Sequence, residues 1–308
     1  MKKISVVIPC FNEEENIDEI YLRIINTFKN LKYEYEVIFI DNCSTDTTVD
    51  KIKLLAKLDK NLKLIINSRN FGHIRSQFHV ILQSSGDACI MIAADLQDPP
   101  ELIPDLILKW EAGHDVILCV KPESKESKLM FFLRKKYYSF LSSISEVPLV
   151  QNATGAGLFD KKIVNILRGI SDPYPYFRGL VSEIGFNITT IEFLQPKRKH
   201  GITKYGFYNL LDVALLGIIN HSKVPLRFMS IIGFICSVTS LFIAFFYLIA
   251  KLFFWNSFSL GIAPIIIGIF LVSSLQILML GLIGEYVGSI HTKLRKMPLI
   301  IEKERINF

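Results

Sequence analysis

Two long uncharged stretches near the C-terminus constrain this chain more than any other feature. Residues Phe228 to Ala250 contain no Asp, Glu, Lys or Arg, and neither do residues Leu252 to Gly284. At roughly 1.5 Å per helical residue, about 20 apolar residues cover the roughly 30 Å hydrocarbon core of a bilayer. The stretches therefore predict a hairpin of two transmembrane helices, at about 228–250 and 263–284. Two buried helices of a soluble protein are the alternative.

The composition favours the membrane alternative. Half of the residues are hydrophobic and the mean hydropathy is +0.36, which is high for an ordinary soluble enzyme. Basic residues flank both outer ends of the predicted hairpin, whereas its loop contains only Lys251. The flanking residues are Lys223, Arg227, Lys293, Arg295 and Lys296. By the positive-inside rule, both ends of the hairpin are expected on the cytoplasmic side.

The charge distribution argues against nucleic acid as a partner of the large domain. The segment from Lys223 onward has 8 basic and 3 acidic residues, so +5 of the net charge of +6 lies there. The rest of the chain is nearly neutral, unlike a nucleic-acid-binding domain. The excess positive charge instead favours contact with the anionic headgroups of a lipid bilayer.

We expect four regions along the chain. Residues 1–200 form a cytosolic domain, because the apolar run at the N-terminus is too short for a signal peptide and is followed by acids. Residues 201–226 form a juxtamembrane region with an amphipathic, aromatic-rich helix, either at the membrane interface or in an ordinary core. Residues 227–285 contain the two transmembrane helices, and residues 286–308 form a cytoplasmic tail.

The large domain alternates β-rich runs with helical patterns, which is typical of an α/β doubly wound fold. The runs are continuously apolar, as in a parallel sheet covered on both faces. Strands are predicted at 4–8, 37–40, 64–66, 88–92, 116–120 and 187–193. Asn12 and Glu15 have the spacing of a capping box, so they predict the start of the first helix.

Polar residues follow each of the first four predicted strands, where an open α/β sheet binds its ligands. The runs are Asn12-Glu13, Asp41 to Asp46, Asn67 to Asn70, and Asp95 to Asp98. Neither GxGxxG nor GxxxxGK[ST] is present, so a phosphorylated ligand would need a divalent cation. The oxygens of Asp95, Gln97 and Asp98 suit such a cation.

Several of these runs resemble a known family. "SVVIPCFNEEENI", "VIFIDNCSTDTT", "NFGH" and "ADLQDPPELI" are similar to family 2 of the inverting nucleotide-sugar glycosyltransferases. More narrowly, they resemble the branch that makes polyisoprenyl-phosphate sugars, which contains bactoprenol glucosyltransferases and dolichol-phosphate mannose synthases. The resemblance implies a GT-A-like, mostly parallel doubly wound sheet with interfacial helices and a C-terminal two-helix transmembrane hairpin.

The resemblance also implies roles for individual residues. Asp95 and Gln97 would hold Mg²⁺ or Mn²⁺ against the donor diphosphate, and Asp41 would hydrogen-bond the base. Arg198 and Lys204 would close over the phosphates. The predicted catalytic set is Asp95, Asp98, Arg134 and Arg198, in which Asp98 is included for its carboxylate and not from the resemblance. The implied nucleotide-sugar-binding set is Pro9, Phe11, Glu13, Asp41, Asn42, Asn70, His73, Ala94, Asp95 and Lys204.

Three departures from the family pattern bear on these roles. Asn42 stands where the family usually has a second Asp, and Ala93 stands where it has the first Asp of Asp-Ala-Asp. The region Thr154 to Lys162 lacks an Asp and an Arg that related enzymes have. Metal binding is therefore expected to be weaker or differently arranged, with Asp98 as a substitute carboxylate.

The predicted activity is transfer of a hexose from a UDP- or GDP-sugar to a polyprenyl phosphate on the cytoplasmic leaflet of a bacterial inner membrane. A phosphate monoester has a second pKa of about 6, so it is already an anionic nucleophile and needs no base. The resemblance implies that Arg134 would bind the lipid phosphate. It also suggests a homo-oligomer. Two alternatives remain: transfer to a hydroxyl of a lipid-linked saccharide, with Glu183 as base, and an impaired sugar-nucleotide-binding scaffold.

Overall fold

The computed structural model describes residues 1–121, 150, 152–170, 172, 175, 177–196, 224–253, 262–294 and 298–308. Contacts divide the chain into two units. One comprises Met1–Gly217 together with Arg295–Phe308, and the other comprises Ile218–Leu294. The end of the chain therefore returns to the unit in which the chain begins.

The first unit contains an eight-stranded mixed sheet. Its strands are β1 (Lys3–Cys10), β2 (Glu34–Asp41), β3 (Leu62–Asn67), β4 (Ala88–Met91), β5 (Val116–Val120), β6 (Ala153–Asp160), β7 (Ile188–Glu192) and β8 (Glu302–Ile306). The strand order is β7-β5-β6-β4-β1-β2-β3-β8. Strands β4, β1, β2 and β3 are parallel neighbours, whereas β6 is antiparallel to both β4 and β5.

Helices cover both faces of this sheet, as the alternating pattern predicted. They are α1 (Ile17–Phe28), α2 (Thr48–Leu58), α3 (His73–Leu82), α4 (Ile103–Glu111), α5 (Lys161–Arg168) and α6 (Phe177–Glu183). Helices α1, α2 and α4 pack in one apolar cluster, whereas α3, α5 and α6 pack in another. Ile4, Val6 and Ile8 of β1 contribute to the first cluster and Val7 to the second, because successive side chains of a strand point to opposite faces.

The six predicted strands all occur, although the sequence did not indicate β6 or β8. Strand β6 contains Gly157, and a Cβ atom there would lie 2.3 Å from the carbonyl oxygen of Ile117 on β5. Only glycine therefore allows the two backbones to approach so closely. Because glycine is depleted in ordinary strands, the run "ATGAGLFD" lacks the composition that predicts one.

The predicted start of the first helix was wrong. Helix α1 begins at Ile17, after Asn16, and Asn12 has a left-handed backbone with φ of 53°. The Asn12 side chain accepts a hydrogen bond from the backbone N–H of Thr45 instead of capping a helix. Contact with a neighbouring loop therefore overrides the local capping-box pattern.

The second unit contains two long helices, α7 (Val224–Phe253) and α8 (Ile262–Leu294). Their positions agree with the two helices predicted from the uncharged stretches. Within the described residues, no helix combines the length and the apolarity that crossing a bilayer requires. Membrane crossing by this pair therefore stays a prediction.

A buried ion cluster connects three strands near the amino-terminal edge of the sheet. The carboxylate of Glu36 is 1% exposed, and it accepts hydrogen bonds from Lys3 Nζ at 2.9 Å and Lys63 Nζ at 2.8 Å. The Ser5 hydroxyl and the backbone N–H of Ser85 also donate to it. Burial alone would raise the pKa of Glu36, but these hydrogen bonds outweigh burial and lower the pKa to about 2.

We expect Glu36→Gln to lower the free energy of unfolding by about 3 kcal/mol near neutral pH, because two partly buried ammonium groups lose their carboxylate. The folded-state pKa lies below the unfolded value, so the stabilisation is complete above about pH 5 and declines as the pH falls towards 2. Denaturant unfolding near pH 7 and near pH 3 measures both effects. The exposed Glu34→Gln is the control, and an equal loss at both pH values would contradict the prediction.

Candidate active site

Parallel pairing brings four polar loops to one edge of the sheet. Strands β4, β1, β2 and β3 are neighbours in that order and run in the same direction. Their carboxyl ends therefore lie side by side, about 4.8 Å apart from strand to strand. Most of the residues implicated by the family resemblance follow these four ends.

The loops after β1 and β2 are connected to each other by hydrogen bonds. The backbone N–H of Asn12 donates to Ser44 Oγ at 2.8 Å, and the N–H of Thr45 donates to Asn12 Oδ1 at 2.8 Å. Glu14 accepts from both the backbone N–H and the hydroxyl of Thr47, at 2.9 and 2.5 Å. These bonds lower the pKa of Glu14. These hydrogen bonds thus hold the two loops together at the edge of the sheet.

Asp41 is the last residue of β2, directly before the second of these loops, and it is fully buried. Its carboxylate accepts from the backbone N–H of Ser44 at 2.9 Å and from the Ser44 hydroxyl at 2.5 Å. Burial raises the pKa of Asp41, and the bonds from Ser44 partly offset that rise. In this arrangement, Asp41 holds the turn that follows β2.

Asn42 organises the β3–α3 loop (Ser68–Gly72). Its Oδ1 accepts from Asn67 Nδ2 at 3.1 Å and from the backbone N–H of Phe71 at 2.9 Å. Its Nδ2 donates to Asn70 Oδ1 at 2.8 Å. An aspartate could accept the first two bonds but could not donate the third. Asn42, which replaces the second Asp of the family pattern, therefore makes a hydrogen bond to Asn70 that an aspartate could not make.

A second cluster follows β4. The backbone turns at Leu96, whose φ is 60°, and the N–H of Gln97 donates to Asp95 Oδ1 at 3.1 Å. Asp95 and Asp98 are both buried, at 7% and 5% exposure. Such side-chain-to-backbone bonds two residues apart are typical of turns that begin with aspartate. The turn therefore presents two carboxyl groups at the edge of the sheet.

Asp98 has an unusual electrostatic environment. Burial and the nearby charge of Asp95 raise its pKa to about 6, against hydrogen bonds from Thr154 and the Ala93 backbone and the charge of Lys121. Its Oδ1 atom is buried and has no hydrogen-bond partner among the described residues. A carboxylate oxygen in this state suits a cation, because a bound cation would compensate its buried charge.

The residues of the predicted metal site lie in the loop after β4. Asp95, Gln97 and Asp98 present hard oxygen atoms of the kind that Mg²⁺ and Mn²⁺ prefer. Within the described part of the chain, no three His, Cys, Asp or Glu side chains form a metal-binding group. The oxygen atoms of Asp95, Gln97 and Asp98 are therefore of the type that fits such a cation.

The predicted site residues differ in placement. Pro9, Asp41, Asn42 and Ala94 are buried, Phe11 and Glu13 are half-buried, and Asn70 and His73 are exposed. The structure brings Asn42 and Asn70 into direct contact, and it places Asp95 close to Asp98. Arg134, Arg198 and Lys204 lie outside the described residues.

Sequence reasoning missed several contributors to this site. Ser44 binds Asp41, Asn67 binds Asn42, and Thr154 and Lys121 interact with Asp98. Ser44 and Asn67 belong to the polar runs that end two predicted strands, so that signal was present. Thr154 begins β6, the strand that the sequence did not indicate, and no local signal identifies it.

The sheet order and the site define a GT-A-like glycosyltransferase fold. The sequence matches the profile described as "Glycosyl transferase family 2" over residues 5–167. Because this match covers more than half of the chain, the protein belongs to glycosyltransferase family 2.

Full-length relatives agree with this assignment. The "Uncharacterized glycosyltransferase YkcC" of Bacillus subtilis (strain 168) is 33% identical over 300 residues, which cover 96% of this chain and 92% of the relative. The "Bactoprenol glucosyl transferase" of Shigella phage SfII is 33% identical over 305 residues, which cover 98% of each chain. Both similarities extend through α7 and α8.

A solved structure supports the fold. The glucosyl-3-phosphoglycerate synthase of Mycobacterium tuberculosis, in complex with Mn²⁺, uridine diphosphate and phosphoglyceric acid, has a TM-score of 0.50 and 18% sequence identity. The alignment covers 71% of this chain and 76% of that chain. At this level of identity, the likeness concerns the fold alone.

We expect a measurable coupling between Asn42 and Asn70. Asn42→Ala and Asn70→Ala each remove the same amide hydrogen bond, so the double variant should lose about 1 kcal/mol less stability than the sum of the two. Denaturant unfolding of the four proteins measures this coupling. Asn42→Ala combined with Asn165→Ala on α5 is the control and should be additive; additivity in both pairs would contradict the network.

Proposed function

We propose that the protein transfers a hexose from a UDP- or GDP-sugar to a polyprenyl phosphate at the cytoplasmic face of a bacterial inner membrane. One observation carries the proposal: the similarity to bactoprenol glucosyl transferases covers 98% of each chain. It therefore includes the helical unit as well as the sheet. A lipid acceptor would explain the helical unit, because that unit would keep the enzyme at the bilayer that contains the acceptor. A soluble acceptor would not explain it.

The nature of the acceptor removes the need for a general base. A phosphate monoester is anionic at neutral pH, so its oxygen attacks without losing a proton to the enzyme. Catalysis then depends on bringing two negatively charged groups together and on stabilising the departing diphosphate. Arg134, Arg198 and Lys204 are the residues that we assign to this charge neutralisation.

Asp95 and Gln97 would hold Mg²⁺ or Mn²⁺, and the cation would offset negative charge on the diphosphate leaving group. Asp98 is the substitute carboxylate in place of Ala93, since its buried Oδ1 has no hydrogen-bond partner among the described residues. The connected loops after β1 and β2 would form the nucleotide pocket, with Phe11 beside the base. Their hydrogen bonds keep that pocket rigid before the donor arrives.

A screen of donors and acceptors tests this function. Purified full-length protein is incubated with UDP- and GDP-sugars and undecaprenyl phosphate, with and without a chelator. We expect turnover with one donor, loss of turnover with the chelator, and a β-linked product from the α-linked donor by nuclear magnetic resonance. Asp95→Asn should lower turnover by at least about 100-fold, because it removes a metal-binding charge.

The exposed Asp105→Asn on α4 is the matched control for charge and should retain full turnover. An α-linked product would contradict the inverting mechanism. Turnover only with a lipid-linked saccharide, lost in Glu183→Gln while donor binding persists, would favour the hydroxyl acceptor. Tight nucleotide binding without turnover of any donor would favour a scaffold.

We also propose that the helical unit anchors the enzyme in the bilayer. Phe234, Phe242 and Phe246 of α7 are 69–71% exposed, and apolar side chains of α8 are exposed as well. So much exposed apolar surface favours contact with lipid or with a second copy. Since both ends of this unit join the same compact unit, an anchor would cross the bilayer an even number of times.

The anchor is tested by alkaline extraction of membranes from cells that express the full chain. We expect the protein to stay in the membrane pellet and to be released by detergent. Changing Phe234, Phe242 and Phe246 together to Asp should release it, because each charge costs about 3 kcal/mol in the hydrocarbon core. Changing the exposed Leu22, Leu54 and Leu58 of the first unit to Asp is the control. Equal release of both triple variants would contradict the anchor.

A further inference from the structure

The last residues of the chain form part of the sheet. We call Leu299–Phe308 the C-terminal segment; it contains β8, which pairs antiparallel with β3. Ile300 is buried, and Leu299 and Ile306 pack against the two apolar clusters. The segment follows the helical unit in sequence and yet completes the edge of the sheet.

A bulge lets this strand contact helices on both faces of the sheet. Ile65 pairs with Arg305 and Ile66 with Glu304, but Asn67 pairs with Glu302, so Lys303 is the extra residue. Glu302 and Glu304 would share a face in a regular strand. Here Glu304 Oε2 accepts from Lys53 Nζ of α2 at 2.7 Å, whereas Glu302 Oε1 lies 2.6 Å from His79 Nε2 of α3.

The segment holds both elements that flank the β3–α3 loop. At the start of the loop, the backbone N–H of Ser68 donates to the carbonyl of Ile301 at 2.9 Å. After the loop, His79 donates to the Glu302 carboxylate, which also accepts from Arg305 Nη2 at 2.6 Å. Burial alone would raise the pKa of Glu302, but these hydrogen bonds outweigh it and lower the pKa. An ionised carboxylate is therefore the acceptor.

The loop between these supports is short and exposed. Ser68, Arg69 and Asn70 are exposed, and the guanidinium of Arg69 lies 4.0 Å from the ring centroid of Phe71. Asn42 fixes the loop from inside the sheet through Phe71 and Asn70. Because ordering a loop on binding costs free energy, supports that order it in advance improve ligand affinity.

We infer that Glu302 is a positioning residue for the nucleotide-sugar donor, acting through the β3–α3 loop; this rests on the proposed function. Glu302 holds α3 through His79, and the adjacent Ile301 holds Ser68. The C-terminal segment therefore holds the first residue of the loop through Ile301 and the helix after the loop through Glu302. The loop carries Asn70, and α3 begins with His73. No contact between Glu302 and the donor is required.

Other contacts hold the segment when Glu302 is changed. Asn307 Nδ2 donates to the carbonyls of Ala56 and Leu62, at 2.7 and 2.8 Å. Arg305 Nη2 also donates to Gln83 Oε1 at 2.9 Å. Removing the Glu302 side chain in Glu302→Ala should thus have a local effect and leave β8 paired with β3. Glu304→Ala is the matched control, since it removes a carboxylate from the same strand on the side of α2.

Hydrogen exchange of the full-length protein without ligand provides the first test. In Glu302→Ala, the amides of Ser68, Phe71 and Gly72 should exchange about tenfold faster, because the loop opens more often. In Glu304→Ala, they should exchange at the original rate. His79→Ala, which removes the donor to Glu302, should reproduce the effect of Glu302→Ala.

Calorimetric titration with UDP and with GDP, each in the presence of Mg²⁺, provides the second test. The Kd of Glu302→Ala should rise about fivefold and that of Glu304→Ala should not change, as expected for lost preorganisation. With UDP-glucose and undecaprenyl phosphate, KM for the donor should rise while kcat changes less than about twofold.

Unchanged exchange in the loop, or equal effects of the two glutamate variants, would overturn the inference. Lack of binding of both UDP and GDP by the unmodified chain would instead contradict the proposed donor. In that case the exchange comparison still decides whether Glu302 orders the loop, so the two failures are distinguishable.

Discussion

Parallel pairing of β4, β1, β2 and β3 is the constraint on which the rest of this structure depends. It forces four carboxyl ends to one edge, so residues far apart in sequence become neighbours without any special contact between them. The charges and amides at that edge then need partners. Asp41 forms hydrogen bonds with Ser44, and Asn42 forms hydrogen bonds with Asn67 and Asn70. Asp98 keeps one buried oxygen without such a partner among the described residues. The proposed role of Asp98 in holding a cation rests on this unpaired oxygen.

The strands of the parallel core were predictable because their apolar runs are continuous and buried on both faces. The site was predictable to the extent that it consists of residues directly following these runs, as Asp41 and Asp95 do. The long helices were predictable because each of the two uncharged stretches is long, continuous and apolar. Local composition determines each of these features.

The remaining features arise from contacts between distant segments. Asn12 has the pattern of a helix cap, but the loop after β2 offers its side chain a better partner in Thr45. Strand β6 is rich in glycine because the Ile117 backbone approaches it closely, and β8 is highly charged, as an edge strand tends to be. In the sequence, Asn42 appears only as the loss of a family aspartate. In the structure, its amide donates a hydrogen bond to Asn70. No single window of sequence contains both members of these pairs.

The position of β8 after both long helices in the sequence has a consequence for biosynthesis. A ribosome delivers the chain from its N-terminus, so β1 to β7 are complete long before residues 302–306 emerge. Until then, the outer edge of β3 has no strand beside it, and an unpaired edge invites pairing with other chains. The sheet is finished only after both long helices have been synthesised. A product terminated before residue 302 would therefore carry an open edge at β3.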